Sequence, residues 1–119
     1  MLGLDLTICL IPNGKMDWWL CHNRVNFQRD YDFFSRIADT GRRKINPSLN
    51  PLPVPESKRV DWYDDDGIKQ TTEDAYGSKL TYLPASAFSK VTSDNQWNKA
   101  ILEMLKLLPE DTPIILYWC

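Results

Sequence analysis

The residues of this chain that could do chemistry fall into three groups, and none completes a known catalytic or metal set. The first is Asp5 with His22, the one histidine present. An aspartate beside an imidazole orients the ring for proton transfer or supplies half of a metal site. An exposed cross-strand polar pair is the plainer account of the same two residues. The second group is the run Trp62-Tyr63-Asp64-Asp65-Asp66-Gly67. Consecutive carboxylates invite a divalent cation, but a calcium loop alternates its ligands over about twelve residues and closes on a glutamate. An acidic turn ending in glycine explains this run without a metal. Carboxylates next to exposed aromatics also suit a protein-binding patch, because aromatic anchors carry most of the energy of an interface. The third group is Arg42, Arg43 and Lys44 with Lys58 and Arg59. These could hold phosphates while Trp62 or Tyr63 stacks a base. No glycine-rich phosphate loop or recognition helix accompanies them, and a solvated basic segment balancing the acids that follow is the bland alternative. Cys9, Cys21 and Cys119 lack metal spacing and are odd in number, so they read as small apolar residues rather than a disulfide framework. With no G-x-S-x-G, H-E-x-x-H or C-x-x-C pattern either, we expect no catalytic set, no metal centre and no cofactor.

The elements that must position these residues are legible in part. Leu2, Leu4, Leu6, Ile8 and Leu10 share one parity, the period of a strand that buries one face. Pro12-Asn13-Gly14-Lys15 follows, and Asn-Gly is a strong hairpin signal because both turn residues need positive φ. With Asn13 and Gly14 as the turn, Cys9 faces Trp18, Leu6 faces Cys21 and Asp5 faces His22. Trp18, Leu20 and His22 then share the second face of the hairpin, which is expected to be at least partly covered. The stretch Arg29 to Gly41 reads as a compact amphipathic helix: Asp30 as N-cap, Phe33, Phe34, Ile37 and Ala38 as its apolar stripe, Gly41 as its stop.

From Arg42 to Ser78 the periodicity fades, and Pro47, Pro51, Pro53 and Pro55 exclude a regular helix through that part. Charge is segregated here. Residues 41–60 are net positive, with Arg42, Arg43, Lys44, Lys58 and Arg59 against Glu56, and residues 61–74 are net negative. A loop of this length inside a compact domain is usually functional or ordered by a partner, so residues 41–78 are expected to form the working surface. Beyond it, Pro84 opens a short helix to about Val91 with Leu83, Ala87 and Phe88 inward. Ser93 and Gln96 have capping-box spacing for a longer helix whose inner face is Trp97, Ile101, Met104, Leu105 and Leu108, ended by Pro109. Ile114 to Trp118 is a continuous apolar run, suited to a strand covered on both faces.

The expected fold is therefore α+β, a single domain over residues 1–119. It would hold a small antiparallel or mixed sheet (N-terminal hairpin plus C-terminal strand), two to three helices on one face, and a long charged loop. At 119 residues with a formal net charge of −2, the chain is long enough for one core and offers no global attraction to nucleic acid. No apolar run approaches the ~18 residues of a membrane span, so no membrane partner is expected, and a reducing cytoplasm is the default location.

Four stretches, Gly3-Leu4-Asp5-Leu6, Arg29-Asp30-Tyr31-Asp32-Phe33-Phe34, Asp74-Ala75-Tyr76-Gly77-Ser78-Lys79-Leu80-Thr81 and Ile114 to Trp118, resemble in order those of a group of small phage and bacterial proteins. These begin with a Met-Gly-Cys-Asp-Ile-His type strand. An Arg-x-Tyr-Asp-x-Phe helix, a proline-rich middle, an Asp-x-His-Ser segment and an apolar last strand follow. Thr7 stands where that group tends to have histidine, and Tyr76 and Gly77 stand at its His-Ser, so any histidine-dependent activity is expected to be lost here. The resemblance implies a phage-borne accessory protein in the host cytoplasm that acts by binding. The first expectation is an inhibitor of a host protein or defence system, of anti-CRISPR or anti-defence type. It would dock through Arg42, Arg43, Lys58, Arg59, Trp62, Tyr63 and Asp64 to Asp66. The alternatives are a nucleotide or nucleic-acid sequestering protein using Arg42, Arg43, Lys58 and Trp62, or a degenerate metal-dependent hydrolase around Asp5, His22 and Asp64 to Asp66.

Overall fold

The computed structural model describes residues 3–39 and 49–119. It is α+β and has three layers: helices, a five-stranded sheet, and a three-stranded sheet. The five-stranded sheet has the order β3 (Asn23–Asn26), β1 (Leu6–Leu10), β8 (Pro113–Trp118), β7 (Thr81–Pro84), β4 (Leu52–Pro53), and every pair in it is antiparallel. The three-stranded sheet is β2 (Trp18–Cys21), β5 (Arg59–Asp64) and β6 (Gly67–Gln70), with β2 parallel to β5 and β6 antiparallel to it.

The apolar run of residues 114–118 becomes β8, the central strand of the first sheet. Ile114, Leu116 and Trp118 face the helices, Ile115 faces the second sheet, and all four are buried. Two cores result. Between the helices and the first sheet lie Leu6, Ile8, Phe33, Phe34, Ile37, Phe88, Leu105 and Leu116. Between the sheets lie Cys9, Trp19, Cys21, Val60, Leu80 and Ile115, with Trp62, Tyr82 and Tyr117 packed against them.

Helix α1 (Tyr31–Ile37) starts where expected: the Phe33 N–H donates to Asp30 Oδ1 at 3.2 Å. Its expected stop, Gly41, lies outside the described residues, as do Arg42, Arg43 and Lys44. A short 3-10 helix over Ala85–Lys90 follows Pro84 and buries Phe88. Helix α2 (Gln96–Lys106) is capped two residues later than its sequence suggests, by Asn95, whose side chain accepts from Asn98 N–H. Ser93 instead links the helix entry to α1, with its hydroxyl 3.2 Å from Asp30 Oδ2. Trp97 is consequently 55% exposed rather than inward, and Asn98 takes the buried place. Asn98 satisfies both backbone groups of Gln28, accepting at 2.8 Å and donating at 3.0 Å.

The expected N-terminal hairpin does not form. Strand β1 has β8 on one edge and β3 on the other, so no edge is left for residues 18–21. Neither Asn13 nor Gly14 has the positive φ that a two-residue hairpin turn requires. Residues 11–17 instead carry the chain from the first sheet to the second, where the Trp19 indole N–H donates to the Gly14 carbonyl at 2.9 Å. At His22 the chain crosses back, and β3 continues into the first sheet.

Within the expected loop of residues 41–78, the part from Arg59 to Gln70 is a β-hairpin. Asp65 and Asp66 are its two turn residues and Gly67 follows with φ +108°, a conformation that an L side chain adopts only with strain.

Candidate functional site

The second sheet has two unlike faces. Trp19, Cys21, Val60 and Trp62 point inward to the core shared with the first sheet. The strand registers place Trp18, Leu20, Arg59, Asp61, Tyr63, Ile68 and Gln70 on the other face. No element of the described residues covers it. Trp18 and Ile68 are each 50% exposed and Tyr63 45%. Leu20 lies between Trp18 and His22, half-buried, on this same face.

One carboxylate on this face is buried all the same. Asp61 is 2% exposed because its neighbours close over it. The Trp18 indole N–H donates to Asp61 Oδ2 at 3.0 Å, and the Arg59 Nε–H reaches both carboxylate oxygens at 3.1 and 3.0 Å. The guanidinium is thus fixed through one nitrogen while 62% of its side chain remains exposed. Pinning removes much of the rotamer entropy that an arginine otherwise loses on meeting a partner. At the other end of the face the His22 ring stands edge-on to Tyr63, with centroids 5.3 Å apart. The hairpin turn beyond it carries Asp64, Asp65 and Asp66. Asp64 Oδ1 accepts from Asp66 N–H at 2.9 Å, so the acidic run is a self-capped turn.

The sequence-derived site residues therefore have different fates. Arg59 and Tyr63 stand on the open face, with Asp64 to Asp66 at its end. Trp62 points inward, 5.0 Å from Tyr117, with the Arg24 guanidinium 5.1 Å over its ring, so its faces are not open to a stacking base. Lys58 is a structural residue. Its ammonium donates to the carbonyls of Lys15 and Met16, each at 3.2 Å, and its side chain is 19% exposed. Asp5 and His22 do not face each other. Asp5 exchanges backbone hydrogen bonds with Cys119 at 2.7 and 3.0 Å, and β3 crosses β1 with Asn26 opposite Thr7. Its carboxylate instead makes a two-pronged ion pair with Arg29, at 3.1 and 2.7 Å. That bonded guanidinium holds the Asp5 carboxyl below its ordinary value, and the aspartate in turn raises Arg29. Among the described residues no three His, Cys, Asp or Glu side chains gather as a metal set.

The polar contacts around Asp5 tie four separated stretches together. The Tyr76 hydroxyl donates to the Gly3 carbonyl, and Ala75 N–H donates to the Trp118 carbonyl at 3.1 Å. A side chain at position 3 would sit 2.4 Å from the Arg29 guanidinium, so any residue larger than glycine would displace Arg29 from its place beside Asp5. Thr7 donates to Asn26 Oδ1 at 2.7 Å. The cysteines are free; Cys9 and Cys21 are fully buried. A hydrogen bond between these two thiols, and then burial, pushes Cys21 far up, which leaves it inert as a nucleophile. Burial raises Cys119 as well.

Trp18, Leu20, Ile68 and the buried Asp61 had no place in the sequence-derived site. The parity of Trp18, Leu20 and His22 was a usable signal for the first two. Nothing local announces that Asp61 is buried, because its cover comes from Trp18, distant in sequence. Among the described residues no helix is long and apolar enough to cross a membrane. Comparison with protein-family models, curated proteins and solved structures finds no match to this chain.

Proposed function

We propose that this chain acts by binding a protein partner through the open face of β2, β5 and β6, as an accessory factor that occupies and inhibits a host protein. The observation that carries the reading is the composition of that face: a half-exposed tryptophan, tyrosine and isoleucine beside an arginine already pinned in place. Tryptophan, tyrosine and arginine are the residues enriched in binding hot spots, and a sheet face that no described element covers has its hydrophobic stabilisation still to gain. The acidic turn at Asp64 to Asp66 would favour a partner with basic groups at that end. The setting, a phage-borne factor of anti-defence type, comes from the resemblance of four stretches to small phage proteins. Thr7 and Tyr76, at positions where that group carries histidine, are engaged in hydrogen bonds to Asn26 and Gly3. Nothing in those contacts offers a base, which favours binding over hydrolysis. The nucleotide reading has less support, because Trp62 and Lys58 are committed to packing.

Affinity capture from a bacterial host lysate, with bound proteins and small molecules read by mass spectrometry, tests the proposal. Three baits are compared: the native chain, the face variant Tyr63→Ala/Ile68→Asp, and Leu107→Ser on the helix side. A stoichiometric protein held by the native and Leu107→Ser baits and lost from the face variant is the expected result. Equal retention by all three, or a bound nucleotide with no protein, would overturn it.

A further inference from the structure

The hydrogen-bond phase of the β5–β6 hairpin shows which backbone groups lie at its free edge. Thr71 N–H donates to the Val60 carbonyl at 2.9 Å, so Val60 and Thr71 are a bonded pair. With the register Trp62–Lys69 and Asp64–Gly67, these two pairs are bonded as well, and the alternating pairs, Asp61–Gln70 and Tyr63–Ile68, are not. Ile68 and Gln70 therefore turn their N–H and C=O groups away from β5. Among the described residues no strand pairs with that edge, since β6 is the last strand of its sheet. The edge closes only further along, where Leu80 N–H donates to the Thr72 carbonyl at 3.1 Å and Glu73 bridges Lys79.

From Leu80 the chain leaves β6 and joins the first sheet, with the Leu80 carbonyl accepting Val54 N–H at 3.1 Å. The two sheets part there, and the wedge between them is a cleft of about 470 Å³. Val54, Val60 and Leu80 form its apolar floor, and Gln70 stands at its rim. The unpaired edge thus leads directly into a cleft with an apolar floor and polar walls.

We propose that the edge of β6 and this cleft take an extended segment of the partner protein as a fourth strand of the second sheet, with one apolar side chain of the segment set into the cleft. This deepens the binding role proposed above and rests on it. Two sets of N–H and C=O groups on alternate residues, about 7 Å apart, match an extended backbone and no small ligand or helix. The cleft is large enough for a leucine or phenylalanine side chain, which would meet Val54, Val60 and Leu80 at the floor between walls that carry Glu56, Lys58, Glu73 and Lys79. Lys69 sets a second requirement. The register puts it on the same side of the sheet as Trp62, where at the free edge it stays exposed and makes no ion pair among the described residues. An added strand is joined comfortably only if it brings an acidic side chain beside Lys69; strands without one are disfavoured, as lysines at sheet edges generally achieve. The occupant is thus an extended peptide segment carrying an apolar residue and an acidic one. On the opposite side its alternate residues would widen the Trp18, Tyr63 and Ile68 face.

The probe is a linear random-peptide library displayed on yeast and selected on the native chain. The best enriched peptide is then synthesised and followed by amide hydrogen exchange. The expected result is an enriched segment with an apolar and an acidic residue that slows exchange at Ile68 and Gln70 at least tenfold, leaving Lys69, already bonded to β5, unchanged. Gln70→Pro removes one outward N–H at an edge where proline is tolerated and should weaken the peptide at least tenfold; the exchange result on the native chain stands whether or not that variant folds. A library yielding no peptide, or a peptide that binds without protecting Ile68 and Gln70, would overturn strand addition. In the second case, binding still lost in Tyr63→Ala would leave the open face as the docking surface. The lysate capture, which needs no linear segment, decides the broader reading separately.

Discussion

The five-stranded and the three-stranded sheets share one core between them, yet their outer faces are treated oppositely. The first sheet lays Leu6, Ile8, Ile114, Leu116 and Trp118 under α1, α2 and the 3-10 helix. The second leaves Trp18, Tyr63 and Ile68 about half exposed, with no layer beyond them among the described residues. Burying a large apolar side chain stabilises a fold by roughly 1.5–3 kcal/mol, so the first sheet is where stability concentrates. On the second sheet the same kinds of side chain contribute little to the folded state and remain available to a partner. An open face and a core thus differ here less in residue type than in whether a helix was placed over them.

Substitutions separate the two sheets by size of effect. The largest is expected from Phe34→Ala in the helix-covered core, where a side chain 1% exposed is replaced by a cavity at a cost of about 3–5 kcal/mol. Urea unfolding should show this as a lower midpoint at unchanged slope; a loss no larger than that of a surface substitution would break the comparison. Asp61→Ala comes next. It removes the buried acceptor shared by the Trp18 indole and the Arg59 guanidinium, whose N–H groups then turn to water, and should cost about 0.5–1.5 kcal/mol. A neutral result in the same assay would mean that the second sheet holds Trp18 and Arg59 by packing alone. The smallest effect is expected outside both faces, at Asp5. Its carboxyl is held below the ordinary aspartate value, chiefly by the hydrogen-bonded Arg29. A depressed carboxyl contributes stability above its unfolded value and loses it as the pH falls through the folded one. The melting temperature of the native chain should therefore exceed that of Asp5→Asn at pH 6, with the gap narrowing as the pH drops below about 4. A gap constant over that range would remove the ion pair from the account.

Local chemistry was readable in the sequence where local chemistry decides. Asp30 starts α1, Pro84 precedes a short helix, and Ile114 to Trp118 runs through the middle of the first sheet because only a strand covered on both sides tolerates so continuous an apolar run. The hairpin expectation failed because Asn13-Gly14 permits a turn without compelling one, and the edges of β1 were taken by strands distant in sequence. The Arg59–Gln70 hairpin was hidden for a related reason. Its outward residues include a charged arginine, a buried aspartate and an exposed tyrosine, so no simple alternation of apolar and polar types survives. Of the candidate site, Arg59, Tyr63 and the acidic turn were legible. Trp18 and Ile68 needed the parallel pairing of β2 with β5 and the register of β6, both set by tertiary contacts.

The placement of β8 bears on how the chain is made. Strand β1, formed from residues 6–10, hydrogen-bonds to residues 114–118, and β7 finds its partner in the same late segment. During synthesis neither strand can complete the first sheet until that segment has left the ribosome. Until then β1 can pair only with β3, and Leu6 and Ile8 lack the central strand that completes their side of the sheet. Topologies dominated by such distant pairings fold slowly, and nascent chains with exposed apolar segments depend on chaperones to reach their last residues unaggregated.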